Sequence, residues 1–217
     1  MSPKTLLVVD GLPTFETSPL FVAINPATEA ALAFLPETSG RIQVACRFLQ
    51  RFGGSADALS VSEEELPLMW GGYLRAALME YAGVEAAFVC DVRRLGLEAR
   101  PVSILETGNA LLILLRELRN IHVHVGQQRF DRSERPAVLR FDDREHATRR
   151  GIITIPSVDL RQLLAPRIAK NYSSIELERA VGWLEWAQSQ WGIGDVVLSA
   201  LDVYAGMLAE SLTRCKA

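Results

Sequence analysis

The stretch LLILLRELRNIHVHVG, residues 111–126, decides the fold. Five consecutive aliphatic residues run into alternating charged and apolar positions, the pattern of a long helix with one buried side. Ile104, Gly108, Leu111, Leu115 and Leu118 form its stripe, and His122 is next in register. Ser103 and Glu106 stand at capping-box spacing, so the helix is expected to begin there. Arg116 and Arg119 fall on a flank with Leu112, beside the apolar seam.

The sequence before this stretch is helical as well. From Pro67, Leu74, Leu78, Tyr81, Phe88, Val92 and Leu95 mark a second stripe, with Gly96 as its stop. Glu85 fills the gap in that stripe. It is expected to turn outward, the alternative being a polar pocket, since carboxylates are seldom buried without a partner. Helical period resumes at Ser173 and Glu176, a further capping-box pair, with Leu177, Val181, Leu184 and Trp191. A last helix follows Asp195 with Val197, Leu201, Tyr204 and Leu208. Gly192-Ile193-Gly194 is short, which predicts antiparallel neighbours.

Between 125 and 172 the period is lost. Ala137 to Phe141 and Gly151 to Ile155 read as short strands of a hairpin around the charged DDREHATRR, with a short helix after Ser157. The first 60 residues carry a short strand at Thr5 to Val9, turns at Asp10-Gly11 and Asn25-Pro26, a helix from Gly40 to Arg51, and a stop at Gly53-Gly54-Ser55. The expected architecture is mainly α: an antiparallel four-helix bundle over 61–217, with an insertion at 125–172 and residues 1–60 as an N-terminal extension packed on it.

Composition fits an ordinary folded chain, with 49% hydrophobic and 23% charged residues in 217. Cys46, Cys90 and Cys215 are widely spaced and suggest neither a disulfide framework nor a zinc knuckle. The apolar run Leu6 to Val9 is too short for a signal peptide or membrane span, so a cytoplasmic location without membrane attachment is expected. A net charge of −3 argues against a general nucleic-acid coat. Nine arginines nevertheless fall between Arg116 and Arg150, a segment suited to an anionic ligand or to a solvated surface with internal ion pairs.

The chemistry-bearing residues close the first stretch: Arg119, Asn120, His122 and His124. This stretch resembles the Arg-x4-His signature of the HEPN superfamily, helical-bundle proteins that include metal-independent ribonucleases of bacterial toxin systems and other defence modules. Arg119 and His124 have the spacing, and Asn120 holds the polar position after the arginine. The likeness covers roughly 67–124 and 173–212. A subgroup has tyrosine two residues after the histidine; here it is Gly126.

Residues five apart on a regular helix lie about 140° apart and cannot converge on one phosphate. The helix must break there, or a partner must help. The resemblance implies the partner: motifs from two subunits meet across a homodimer interface. It also implies that His124 acts as general base or acid on an RNA 2′-hydroxyl, that Arg119 stabilises the anionic transition state, and that Asn120 orients substrate. Arg116 and His122 are candidate substrate-binding groups, no cofactor or metal is required, and an antitoxin or regulatory protein is a conceivable partner. Two other readings stand beside this one. Arg119 and Asn120 could cap the helix with His122 in the core, or His122 and His124 could begin a metal site completed by His146 and carboxylates such as Glu85. Trp183, Trp186 and Trp191 cannot share one narrow helix face, which favours an oligomer interface over base stacking.

Overall fold

The computed structural model describes residues 7–8, 24–54, 59–100, 102–124, 129–141 and 144–214, without the side chains at 122–124, 136–141, 144–148, 150 and 214. The expected turn at Asp10-Gly11 and most of the first strand lie outside them. The chain is mainly helical, with one two-stranded antiparallel sheet.

Helix α1 (Pro26–Leu32) starts where a turn was expected. Asn25 accepts the Ala27 N–H on its side chain and Pro26 takes the first helical position, so Asn-Pro here opens a helix. Helix α2 (Pro36–Arg51) buries Thr38, Ile42, Ala45 and Leu49. Its flanking residue Leu35 has no cap to offer. Buried Asp91 supplies one from another helix, accepting from both the N–H and the hydroxyl of Thr38, at 2.8 and 2.9 Å. Asp91 lies near the end of α3 (Leu66–Arg94), which closes as the sequence predicts. Gly96 takes a φ of +63°, while Gly96 and Leu97 N–H groups return to the carbonyls of Arg93 and Val92, the Schellman arrangement. Of the α3 stripe all but Leu95 are buried.

Helix α4 (Ala110–His124) begins later than its capping-box signal suggests. Ser103 to Glu106 make only a 3-10 turn, and Gly108, at φ +66°, reverses the chain. Asn109 then caps α4 by accepting the Leu112 N–H. Val8 bridges to the same corner, donating to the Gly108 carbonyl.

The insertion is a longer ribbon than its apolar residues indicate: β1 (Asp131–Phe141) pairs antiparallel with β2 (Arg144–Thr154), Phe141 opposite Arg144. Most of the charged stretch placed in the loop is β2 itself; Asp142 and Asp143 lie outside the described residues. At the root, Ile152 and Ile153 are buried, whereas the described side chains from Asp131 to Arg135 are exposed. Strand alternation is a signal of one-sided burial, and the buried pair at the root is consecutive, so it leaves no such signal.

Three short helical turns follow, α5 (Ser157–Leu160), a 3-10 turn (Arg161–Leu164) and α6 (Pro166–Ala169). Helices α7 (Ser174–Trp191) and α8 (Ile193–Arg214) contact each other, with Gly192 alone between them. At φ +86°, and with a Cβ position only 3.4 Å from the Ile153 carbonyl, Gly192 suits both the corner and the ribbon root. Glu176 pairs with Arg179 and makes no capping box. Trp70 is buried, Trp183 and Trp191 are half-buried, and Trp186 is exposed.

One core joins α1, α2, α3, α4, α7 and α8. By length and composition α8 could cross a membrane over Ile193–Thr213, yet Val196, Val197, Ala200, Leu201, Tyr204 and Leu208 are buried in that core. Tyr81 and Tyr204 pack edge to face at 6.2 Å, and their hydroxyls donate to the carbonyls of Leu112 and Val102. Those bonds satisfy polar groups that would each cost about 1–3 kcal/mol if left unpaired.

Candidate functional site

The Arg-Asn-Ile-His-Val-His segment forms the last turns of α4, and the helix runs unbroken through His124. A break between Arg119 and His124 is therefore excluded. The spacing of 117, 120 and 124 is three and four residues, so these positions follow one another along one side of α4. Arg119 belongs to the neighbouring side.

Its guanidinium nevertheless bends back toward that line. Arg119 Nη1 donates to Asn120 Oδ1 at 3.0 Å, while Nε donates to Met79 Sδ on α3 at 3.1 Å. Both residues are half-buried. The motif arginine is thus held at two points, one of them the Asn120 oxygen, whose amide nitrogen can also donate.

An open cleft of about 320 Å³ lies against Asn120. Glu117 and Asn120 form one wall from α4, and Arg167, Ile168 and Asn171 form the other. Ile168 is buried and gives the cleft an apolar component. Tyr172 holds the Glu117 carboxylate by donating to Oε1 at 3.2 Å. Burial, and then the neighbouring Glu117, push the Tyr172 phenol well above its usual range, so this hydroxyl remains a donor. Arg167 is exposed and makes no side-chain hydrogen bond or ion pair among the described residues.

Arg116 faces a different neighbourhood. It lies 3.6 Å from Glu85 of α3, and its buried Nη1 has no hydrogen-bond partner among the described residues. Glu85 accepts the Ile104 N–H at 3.2 Å. The expected outward rotation of Glu85 is corrected here: it sits half-buried in a polar pocket, because the 3-10 turn offers a donor amide and α4 offers a cation. Arg116 does not line the cleft beside Asn120.

The side chains of His122 and His124 lie outside those described, as does that of His146. Among the described residues, no three His, Cys, Asp or Glu side chains group as metal ligands.

Of the residues singled out in the sequence, Asn120 lines this cleft and Arg119 is bonded to it, whereas Glu117, Arg167 and Asn171 were not singled out. Glu117 had a local signal, its three-residue spacing from Asn120. Arg167 and Asn171 had none, since only the packing of α6 brings them to α4. No protein-family model, curated protein or solved structure matches this chain.

Proposed function

We propose that this chain is a metal-independent endoribonuclease of the HEPN type, a four-helix-bundle enzyme that acts in the cytoplasm as a homodimer. The observation that supports it best is the linkage of Arg119 to Asn120 at the edge of a polar cleft, on the side of α4 that leads to position 124. His124 takes the proton of a ribose 2′-hydroxyl, and the 2′-oxygen attacks the adjacent phosphorus. The bond to the 5′-oxygen breaks, and that oxygen leaves with a proton. The products carry a 2′,3′-cyclic phosphate and a 5′-hydroxyl.

Arg119 stabilises the charge that develops on the phosphoryl oxygens, with Asn120 holding its guanidinium. Because α4 is unbroken, positions 119 and 124 of one chain start from different sides of the helix. The composite site draws on a second copy across a two-fold axis. A regulatory protein or antitoxin would act by occupying this edge.

A second reading is a non-catalytic interaction or nucleic-acid-binding module. It is favoured by Arg119 itself, whose Nε and Nη1 are both satisfied within the chain. Cleavage of a structured RNA in EDTA, by wild type and by His124→Ala at matched oligomeric state, separates the two. The enzyme reading expects cleavage by wild type alone. No cleavage by either leaves the binding module, and equal cleavage by both removes His124 from any mechanism.

A further inference from the structure

We propose that one face of the β1–β2 ribbon, the face of Arg135, Arg144 and Arg150, docks the phosphate backbone of single-stranded RNA. That the polymer is RNA rests on the ribonuclease reading; that it is a phosphate polymer rests on the ribbon. Register partners in an antiparallel pair share a face, and successive positions along a strand alternate between faces. Beyond the root pairs Asp131–Thr154 and Arg132–Ile153, this register sorts the charges. One face takes Glu134, Arg140, Glu145 and Arg149, two of each sign. There Arg149 Nη1 pairs with Glu134 Oε2 at 3.2 Å across the diagonal of the ladder, and Arg140 is the register partner of Glu145. The other face takes Arg135, Arg144, His146 and Arg150, with no carboxylate at any of its strand positions beyond the root. Asp142 and Asp143, between the strands, lie outside the described residues.

Arg135 and Arg150 are direct register partners, and like charges so placed destabilise a ribbon. Arg135 is exposed and makes no hydrogen bond or ion pair among the described residues. The neighbouring strand positions on its face, Ser133, Ala137, Thr148 and Ile152, are uncharged. The repulsion is thus left to be offset by an anion from outside. All the basic residues from 116 to 150 are arginines, whose planar fork takes two phosphate oxygens at once. At about 3.4 Å per residue, positions 144 and 150 lie about 20 Å apart, a span that suits a phosphate chain better than a single anion. Phe141, the register partner of Arg144, adds an aromatic position to the cationic ones, the combination that holds single strands. A duplex RNA fits less well, because its major groove is too narrow for side chains to read. His124 closes α4 and Asp131 opens β1 seven positions later, at most about 25 Å of extended chain, so RNA held at the Arg119–Asn120 edge lies within reach of the ribbon.

The test is fluorescence anisotropy in EDTA with a short single-stranded RNA of mixed sequence, in the full chain carrying His124→Ala so that no probe is cut. Two double variants each remove two charges from the ribbon, Arg135→Gln with Arg150→Gln from the unbalanced face and Arg132→Gln with Arg149→Gln from the other. The first weakens RNA binding about tenfold and lowers the slope of log affinity against log salt by about 1.5, the loss of two phosphate contacts. The second weakens it about twofold or less, since its charges sit on the face that is already balanced. Arg135→Lys with Arg150→Lys keeps the cations and therefore most of the salt slope. Equal weakening by the two glutamine variants overturns the face, as does RNA binding untouched by the first in protein with an unchanged melting curve. A lysine variant as weak as the glutamine one also overturns it. DNA or phosphatidylserine vesicles that displace the probe more readily, per phosphate, than unlabelled RNA overturn RNA as the ligand. Wild type that binds RNA through this face and leaves it uncut overturns the nuclease reading while keeping the ribbon site. Cleavage and binding both indifferent to Arg135 and Arg150 overturn the ribbon site alone.

Discussion

Arg119 donates to the side chain of the residue that follows it, Nη1 to Asn120 Oδ1 at 3.0 Å. Consecutive residues on a helix point about 100° apart, so the long arginine side chain must fold back around α4 to make this bond. Its second anchor, Met79 Sδ at 3.1 Å, is a weak acceptor on an exposed side chain. Asn120 is therefore the stronger of the two groups that fix the guanidinium.

On the proposed ribonuclease reading, Asn120→Ala should lower RNA cleavage far more than stability. Loss of one half-buried hydrogen bond costs about 1 kcal/mol, whereas a misplaced transition-state donor costs about a hundredfold in rate. Asn120→Asp should keep Arg119 in place by an ion pair, and on the same reading the added negative charge should repel an RNA phosphate and slow cleavage as well. Urea denaturation and single-turnover cleavage on the same samples check both. A cleavage rate within about twofold of wild type for both variants removes Asn120 from the mechanism.

Gln188 should be decisive for the ribbon root. Its buried amide accepts the Ile155 N–H at 2.9 Å and donates to the Ile155 carbonyl at 2.7 Å. This clamps the chain leaving β2 to α7. Gln188→Ala leaves both backbone groups unpaired and should destabilise by about 2–4 kcal/mol, the cost of two unsatisfied buried groups. Amide exchange at Ile155 should accelerate with it. A loss below about 0.5 kcal/mol would mean that water replaces the side chain.

The helices were legible where one side of each is consumed by the core. Leu74, Leu78, Tyr81, Phe88 and Val92 on α3, like Val197, Leu201, Tyr204 and Leu208 on α8, are buried at the positions their spacing indicates. The start of α4 was misread because Ser103 and Glu106 satisfy a capping pattern that Gly108 then interrupts with a positive φ. Glu85 was misread for another reason: its partners, the Ile104 amide and Arg116, come from elements whose packing the period does not encode. The same holds for the cleft. Arg119 and Asn120 were visible as neighbours in sequence, but Arg167 and Asn171 become site residues only through the placement of α6.

Asp91 should prove one of the most costly single side chains to remove. It is fully buried, caps α2 at Thr38 and accepts Arg94 Nη2 at 2.8 Å. Asp91→Ala leaves the Thr38 groups unpaired and removes a favourable charge from a helix N-terminus, which together should cost about 3 kcal/mol. Arg94→Ala removes only the half-exposed partner and should cost about 1 kcal/mol or less. Chemical denaturation compares them directly. Equal losses from the two variants would show that the ion pair, and not the cap, carries the effect.

Stability should fall steadily in alkali. Burial raises Tyr81, Tyr172 and Tyr204 above the usual value of 10.0, and it raises the Cys46 thiol from 9.0 to about 11, with Glu29 and Asp202 adding to the shift. Each group stays protonated in the folded chain while the unfolded chain ionises. Its contribution is whole below the unfolded pKa and is lost as pH rises toward the folded one. The decline begins near pH 9 with Cys46 and steepens above pH 10 with the tyrosines, each adding a slope of about 1.4 kcal/mol per pH unit. Urea midpoints from pH 8 to 10.5 test the order. Cys46→Ala should flatten the first part of the curve and leave the second. At pH 8, iodoacetamide should label exposed Cys90 well before Cys46, whose thiolate fraction is about one in a thousand. A flat curve through pH 10.5, or Cys46 labelled as fast as Cys90, would mean that the core around α2 opens to solvent without global unfolding.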